Sequence, residues 1–420
     1  MIKKFRFKGT ARKKVFAYID YLNKSDFSVS KPVLDIIEDV RKNGDNALRK
    51  YALKFDGADI QDIRVPREAF KKAAGAVEKS LWPAIKTAAK NITGFHRMQK
   101  NNISGYVFRN TGYKITQKYV PLDSAGIYVP GGQSPLFSTV LMAVIPAIVA
   151  GVKKIVIVSP PRSRGEINPY ILATAEMLGI TEAYRAGGAQ AIAALAYGTQ
   201  SVPAVNKAAG PGNIYSTMAK KHLFGIIGID SINGPSEITV VADDTADPDF
   251  IACDLCAQAE HVNGHSLLVT PSQRLALAVE KAVKKQGKKI KINAAIIVTK
   301  NIEEAAEIVN YKAPEHLTAA VKNPGAFIKR ITNAPAIFSG NMSPVAFGDY
   351  MAGANHILPT NGTARHFSGL SVLDFMKHTH VVEAGRAAMK KFGEQAAKMA
   401  DAEGLYYHGE SIRIRSRKKR

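Results

Sequence analysis

Gly126-Ile127-Tyr128-Val129-Pro130-Gly131-Gly132 reads as a strand running into a glycine turn, and the segments behind it decide the fold. Residues 139–151 form an apolar helix that delivers residues 153–159 as a buried strand, a βαβ rhythm. The rhythm repeats with a helix over 168–178, a strand at Ala183-Tyr184-Arg185, and Gly187-Gly188-Ala189-Gln190 opening the apolar helix 191–197. A second set follows Pro235: a strand over 238–242, a helix over 249–259, and strands over 264–271 and 291–298. Such alternation predicts a doubly wound α/β architecture.

Working outward, residues 1 to about 100 read as helical. Apolar residues over 33–55 recur every three or four positions up to Asp56-Gly57, and a second helical stretch runs from Arg67 to Asn91-Ile92. After about Leu373 the pattern returns to helix and finishes in Ser411-Ile412-Arg413-Ile414-Arg415, whose alternation suits an edge strand or arm. At 420 residues the chain is longer than one hydrophobic core usually serves, so two principal domains are expected. The longest apolar run, 140–152, is interrupted by Pro146 and is shorter than the roughly 18–20 residues of a membrane span. The basic N-terminus lacks a signal-like apolar stretch, which places the expected protein in the cytoplasm. The cysteines Cys253 and Cys256 are no basis for a disulfide framework and fit a reducing compartment. A net charge of +23 raises nucleic-acid or membrane-surface contact, but no nucleic-acid-binding signature accompanies it. A basic nucleic-acid-binding protein without catalysis therefore stands as the less favoured alternative.

The dinucleotide fingerprint G-x-G-x-x-G is absent, since Gly210-Pro211-Gly212-Asn213-Ile214-Tyr215 places tyrosine at the third glycine. Three glycine-rich turns remain, each able to expose backbone N–H groups to phosphate, although tight turns of an α/β domain account for them more simply. Gln258 and His261 lie three apart on a predicted helix and can face one point. Cys253-x-x-Cys256 with His261 is a competing zinc set, although packing of a buried helix accounts for the cysteines more simply. Pro314-Glu315-His316-Leu317 pairs an acid with an imidazole that a regular strand would point apart and a loop would bring together. Asp349, His356, Glu403 and His408 are further acids and imidazoles. From the residues alone, the reading extends no further than a nucleotide-binding α/β enzyme.

Taken in order, these segments resemble histidinol dehydrogenases. The resemblance runs from Asn91-Ile92 through Tyr128-Val129-Pro130-Gly131-Gly132, Gly187-Gly188-Ala189-Gln190 and Gly210-Pro211-Gly212-Asn213. It continues through Gly234-Pro235-Ser236-Glu237, Gln258-Ala259-Glu260-His261, Ala313-Pro314-Glu315-His316-Leu317, Gly348-Asp349-Tyr350 and Glu403-Gly404-Leu405. It implies two incomplete Rossmann-like domains with small N-terminal and C-terminal extensions. In that division 1–20 is an arm, 21–127 with 235–370 carries zinc and catalysis, 128–234 is an inserted NAD domain, and 371–420 dimerises. It implies one zinc per subunit on Gln258, His261, Asp349 and His408, and Glu315 with His316 as the catalytic pair. Ser236, Gln258, His261, His316, Asp349, His356, Glu403 and His408 would surround the substrate, and Tyr128, Gln190 and Asn213 would lie along NAD. The implied reaction oxidises L-histidinol through L-histidinal to L-histidine with two NAD+, the last step of histidine biosynthesis, in a homodimer whose sites are shared. A related dehydrogenase acting on another small polar alcohol is the alternative. His316, near an ordinary imidazole pKa of about 6.5, would accept the alcohol proton. The chain departs from the family pattern at Gln133-Ser134-Pro135-Leu136-Phe137, at Ser216-Thr217-Met218 and at Asn233.

Overall fold

The computed structural model describes residues 2–24, 28–131, 135–162, 164–287 and 292–417. Gly132, Gln133 and Ser134 of the altered glycine turn, and Lys291 of the expected strand, lie outside the described residues. In chain order the strands are β1 (Lys3–Arg6), β2 (Tyr106–Asn110), β3 (Tyr113–Pro121), β4 (Ser124–Tyr128), β5 (Lys154–Ser159), β6 (Ala183–Arg185) and β7 (Lys207–Ala209). They continue as β8 (Gly228–Ile229), β9 (Glu237–Ala242), β10 (His265–Thr270), β11 (Ala294–Val298), β12 (His316–Ala320), β13 (Ala336–Ser339) and β14 (Met376–Ala384). The chain divides into two units, one of Met1–Arg97 with Leu122–Phe375 and one of Met98–Pro121 with Met376–Arg420.

The first unit holds two parallel sheets, ordered β6-β5-β4-β7-β8 and β1-β11-β10-β9-β12-β13. In each, the leading strand of the alternating run lies inside and later strands are laid on either side of it. Winding therefore reverses between β4 and β7, and again between β9 and β12, as in an incomplete Rossmann-like fold. Helices bury both faces of the second sheet, which is why its strands read as nearly continuous apolar runs. Ile238, Val240 and Ala242 pack with Leu255 and Val279, whereas Val241 points the other way to Ile19 and Val309. Val33, Ile37 and Val40 of helix Ser30–Asn43 share a core with Ile192 and Leu195 beside the first sheet. Among the described residues no helix is long and apolar enough to cross a membrane.

Three local expectations change. The helical reading of residues 1–100 fails at β1, where Lys3–Arg6 extends because the open edge of β11 accepts it in parallel register, Phe5 opposite Ile297. After Leu373 the first element is strand β14, paired antiparallel with β3 in the second unit's β14-β3-β2 sheet. The alternating 411–415 segment is helical, within Tyr406–Arg417, because it packs on helix Arg386–Ala402. Gly393 and Gly409 let those two helices close on each other. A Cβ at Gly393 would sit 2.9 Å from Ser416 Oγ, and one at Gly409 would sit 2.7 Å from Asp401 Oδ1.

Candidate active site

The proposed acid–imidazole pair forms at the amino ends of β9 and β12. Helix Ile302–Lys312 ends at Ala313, whose left-handed backbone (φ 50°) turns the chain through Pro314 into Glu315 and β12. Register places His316 opposite Ile238, so Glu315 stands beside Glu237. Glu237 N–H donates to Glu315 Oε2 at 2.8 Å, and Glu315 N–H donates back to Glu237 Oε1 at 3.2 Å. His316 Nδ1 lies 3.1 Å from the Glu237 carbonyl oxygen and 3.5 Å from Glu315 Oε2. Only a protonated Nδ1 can satisfy those two acceptors, so the lone pair of a neutral ring belongs to Nε2. Nε2 is buried without a hydrogen-bond partner among the described residues, with Asp349 Oδ1 3.7 Å away.

The electrostatics correct one expectation. Burial works against the charge of His316, but the Glu315 and Asp349 carboxylates outweigh it and push the imidazole up to about 10. Burial pushes the His356 imidazole below its usual range, so that ring is neutral; its Nδ1 lies 3.1 Å from the Asp349 carbonyl oxygen. Asp349 sits in the π-helical turn Gly348–Ala352, which Asn91 holds by donating from Nδ2 to the Met351 carbonyl at 2.8 Å. Sequence reasoning missed the role of Glu237 and its buried partners Lys312 and His265. Burial opposes the charge of Glu237, yet Lys312 and His265 hold its carboxyl down at about 2. The available signal was position: Glu237 ends one quoted motif and Lys312 immediately precedes another.

Gln258 and His261 do not share a helix as expected. Helix Pro248–Gln258 stops at Gln258, and His261 stands in the turn beyond it, where Asn263 has φ 59° and Gly264 N–H donates to the His261 carbonyl at 2.9 Å. A Cβ at Gly264 would meet the Gln258 carbonyl oxygen at 2.2 Å, so the turn passes closer than any other residue permits. Gln258 is buried, with Nε2 unpaired. Gln258, His261 and Asp349 offer oxygen and nitrogen lone pairs suited to zinc, Gln258 through Oε1, whereas its unpaired Nε2 is an N–H donor that a cation does not satisfy. They do not complete a cage: among the described residues no three His, Cys, Asp or Glu side chains gather as one. Cys256 packs in the core with Ile251 and Leu255, and burial pushes its thiol up. Ser236 immediately precedes β9 and its carbonyl accepts from His265 N–H at 3.2 Å. Glu403 and His408 belong to the second unit, where both are exposed, Glu403 at the end of helix Arg386–Ala402 and His408 in Tyr406–Arg417.

On the first sheet, Tyr128, Gln190 and Asn213 lie at or just beyond strand carboxyl ends, beside the β4/β7 reversal where open α/β sheets receive dinucleotides. Tyr128 is buried, its hydroxyl accepts from Gly188 N–H at 3.1 Å, and burial raises its pKa so that it stays neutral. Asn213 caps helix Ile214–Leu223 by accepting from Tyr215 N–H and Ser216 N–H at 3.0 and 3.1 Å. Two of the departures from the family pattern meet: Thr217 Oγ1 donates to the Asn233 carbonyl at 2.8 Å, and Ser231 Oγ bonds the Asn233 side chain. They fasten the link between the first sheet and β9.

A sequence model described as histidinol dehydrogenase matches residues 22–416. Histidinol dehydrogenase of Geobacillus kaustophilus is 47% identical over 399 residues, covering 92% of this chain and 94% of that protein. The Bacillus subtilis histidinol dehydrogenase is 45% identical over 399 residues, 92% of this chain and 93% of the relative. The crystal structure of histidinol dehydrogenase from Elizabethkingia anophelis superposes with a TM-score of 0.91 at 36% identity, covering 99% of this chain and 98% of that one. The chain belongs to the histidinol dehydrogenase family, whose members are NAD-dependent oxidoreductases.

Proposed function

We propose that this protein oxidises L-histidinol through L-histidinal to L-histidine in the cytoplasm, passing two hydrides in turn to NAD+. The observation that carries this is the buried, unpartnered Nε2 of His316 beside the Glu315 and Asp349 carboxylates. Residues 128–234 receive the nicotinamide cofactor along Tyr128, Gln190 and Asn213. Gln258, His261, Asp349 and His408 of the partner subunit hold one zinc ion, with Ser236, His356 and the partner's Glu403 around the amino alcohol. Zinc supplies a fixed positive charge that orients the substrate and offsets the Asp349 carboxylate. His316, once deprotonated at Nε2, takes the alcohol proton at that atom, while the Glu237 carbonyl keeps Nδ1–H in place. Glu315, buried and fixed by Glu237 N–H, accepts a proton from the water that hydrates the aldehyde. Exposed apolar residues of the 371–420 segment, among them Tyr406 at 63% and Tyr407 at 82%, support its assignment as the dimer-forming segment.

The test is stoichiometric. Purified enzyme given limiting L-histidinol should form two NADH per substrate consumed, lose activity when its metal is chelated, and regain it with zinc. One NADH per substrate, or full activity after verified metal removal, would refute this reading.

A further inference from the structure

Glu237 touches both members of the catalytic pair without taking part in the chemistry assigned to them. Its N–H holds Glu315 Oε2, its carbonyl faces His316 Nδ1, and its Oε1 accepts the Glu315 amide. Its Oε2 is bonded by Lys312 Nζ and lies 2.8 Å from His265 Nε2. Lys312 Nζ also donates to Asn23 Oδ1 at 2.6 Å, and Asn23 Nδ2 donates back to the Lys312 carbonyl at 3.1 Å. Both charged side chains are 0% exposed.

Taking two charges out of water costs roughly what their attraction returns, so a buried ion pair is a poor device for stability alone. Apolar side chains of similar volume would fill the same space. What this pair does supply is a fixed backbone around a strained turn. Ala313 adopts φ 50°, ψ 63°, a region that residues other than glycine seldom enter and that persists only when the surroundings enforce it. The cluster grips the turn on both sides, through Lys312 before it and the Glu315 amide after it.

The geometry points to the buried Glu237–Lys312 pair as a positioning device that sets the Glu315 carboxylate and the Nδ1–H tautomer of His316, leaving Nε2 as the proton acceptor. The inference rests on the roles proposed above for Glu315 and His316. Without the pair, the turn relaxes, β12 begins out of place, and both side chains leave the positions that the Glu237 backbone prescribes.

The test uses full-length, zinc-loaded enzyme carrying Glu237→Gln, Glu237→Asp or the double change E237Q/K312M, with Glu315→Gln alongside. Competent sites are counted by titration with NADH and by bound zinc, so that misfolded enzyme does not enter kcat. Each variant should lose about 10–100-fold in kcat per competent site, the loss typical of removing a group that orients an active residue, with little change in either KM. Glu237→Asp keeps the charge pair and withdraws the carboxylate from the Glu315 amide, so it should fold and still lose kcat. The double variant removes both charges of the Glu237–Lys312 pair together, so its loss cannot be ascribed to either of them left alone. Normal kcat per competent site in Glu237→Asp or in the double variant, with losses confined to the number of such sites or the melting temperature, would make the pair purely structural and overturn the inference. Full kcat in Glu315→Gln would instead overturn the roles assigned to the catalytic pair, and the inference with them.

Discussion

Adjacent residues on a strand point to opposite faces, so Glu315 and His316 ought to diverge. They converge because Glu315 precedes the first paired residue of β12 and is bound by the amide of a residue 78 positions earlier. The pair itself was legible as an acid beside an imidazole; its convergence was not, because the partner that enforces it lies on another strand. The same holds for the raised His316 pKa, which depends on carboxylates that only the fold brings near. The assigned roles lead to unequal effects on the two half-reactions. Alcohol oxidation needs a base and no water, whereas aldehyde oxidation needs a hydrated substrate. Glu315→Gln keeps the shape and the contact with Glu237 N–H, so aldehyde oxidation should slow much more than alcohol oxidation. Replacing His316 should slow alcohol oxidation by about 10²–10⁴-fold, the range for a lost general base. Single-turnover NADH formation, started separately from alcohol and from aldehyde, measures both. Equal losses for Glu315→Gln in the two assays would exclude this division of labour.

At the scale of elements, the sequence pattern located β4, β5, β6, β9, β10 and β11, since a run buried on both faces is visible as an uninterrupted apolar word, but not the partners β7, β8, β12 and β13. It failed where pairing or packing partners decide conformation, at β1, at β14 and in the final helix. The glycine turns were legible as turns but not as parts of one edge. Gly210 has φ 121°, and a Cβ there would lie 2.1 Å from the Tyr128 carbonyl oxygen, a backbone atom that has little room to yield. Gly210 N–H also donates to buried Asp230 at 2.7 Å, and Lys220 bonds the Gly210 carbonyl at 2.5 Å. Gly210→Ala should therefore cost about 1–3 kcal/mol in backbone strain and also displace Tyr128 from the cofactor edge. Gly225 provides the control, with φ 104° and no atom within 4 Å of where an added Cβ would sit. Both substitutions should lower the melting temperature, but only Gly210→Ala should weaken NADH binding in a fluorescence titration. Equal affinity for the two variants would remove this edge from the cofactor site.

For the molecule as a whole, the first unit carries Gln258, His261, Glu315, His316 and Asp349, while Glu403 and His408 belong to the second. Among the described residues, no three His, Cys, Asp or Glu side chains of the first unit gather as a metal cage. If His408 of the partner subunit is the remaining ligand, two defects placed in different chains can complement each other. Glu315→Gln chains and His408→Ala chains should each form homodimers that make little L-histidine, the product by which activity is followed here. In a hybrid dimer, one site then combines the Glu315→Gln and His408→Ala changes and is doubly disabled. The other combines an unaltered Glu315 with an unaltered His408 and should work. Random exchange makes half the dimers hybrid, each with one intact site of two, so about a quarter of wild-type activity should return for a twofold assembly. Tagging the two chains differently and isolating the hybrid removes the statistical factor and should give about half of wild-type activity per dimer, again from the twofold arrangement. Zinc bound per isolated hybrid should fall between that of the two parents, because the Glu315→Gln parent keeps its ligands and the His408→Ala parent lacks one at every site. Subunit exchange verified by the tags, with no return of activity and full metal in the His408→Ala homodimer, would place the whole site within one chain.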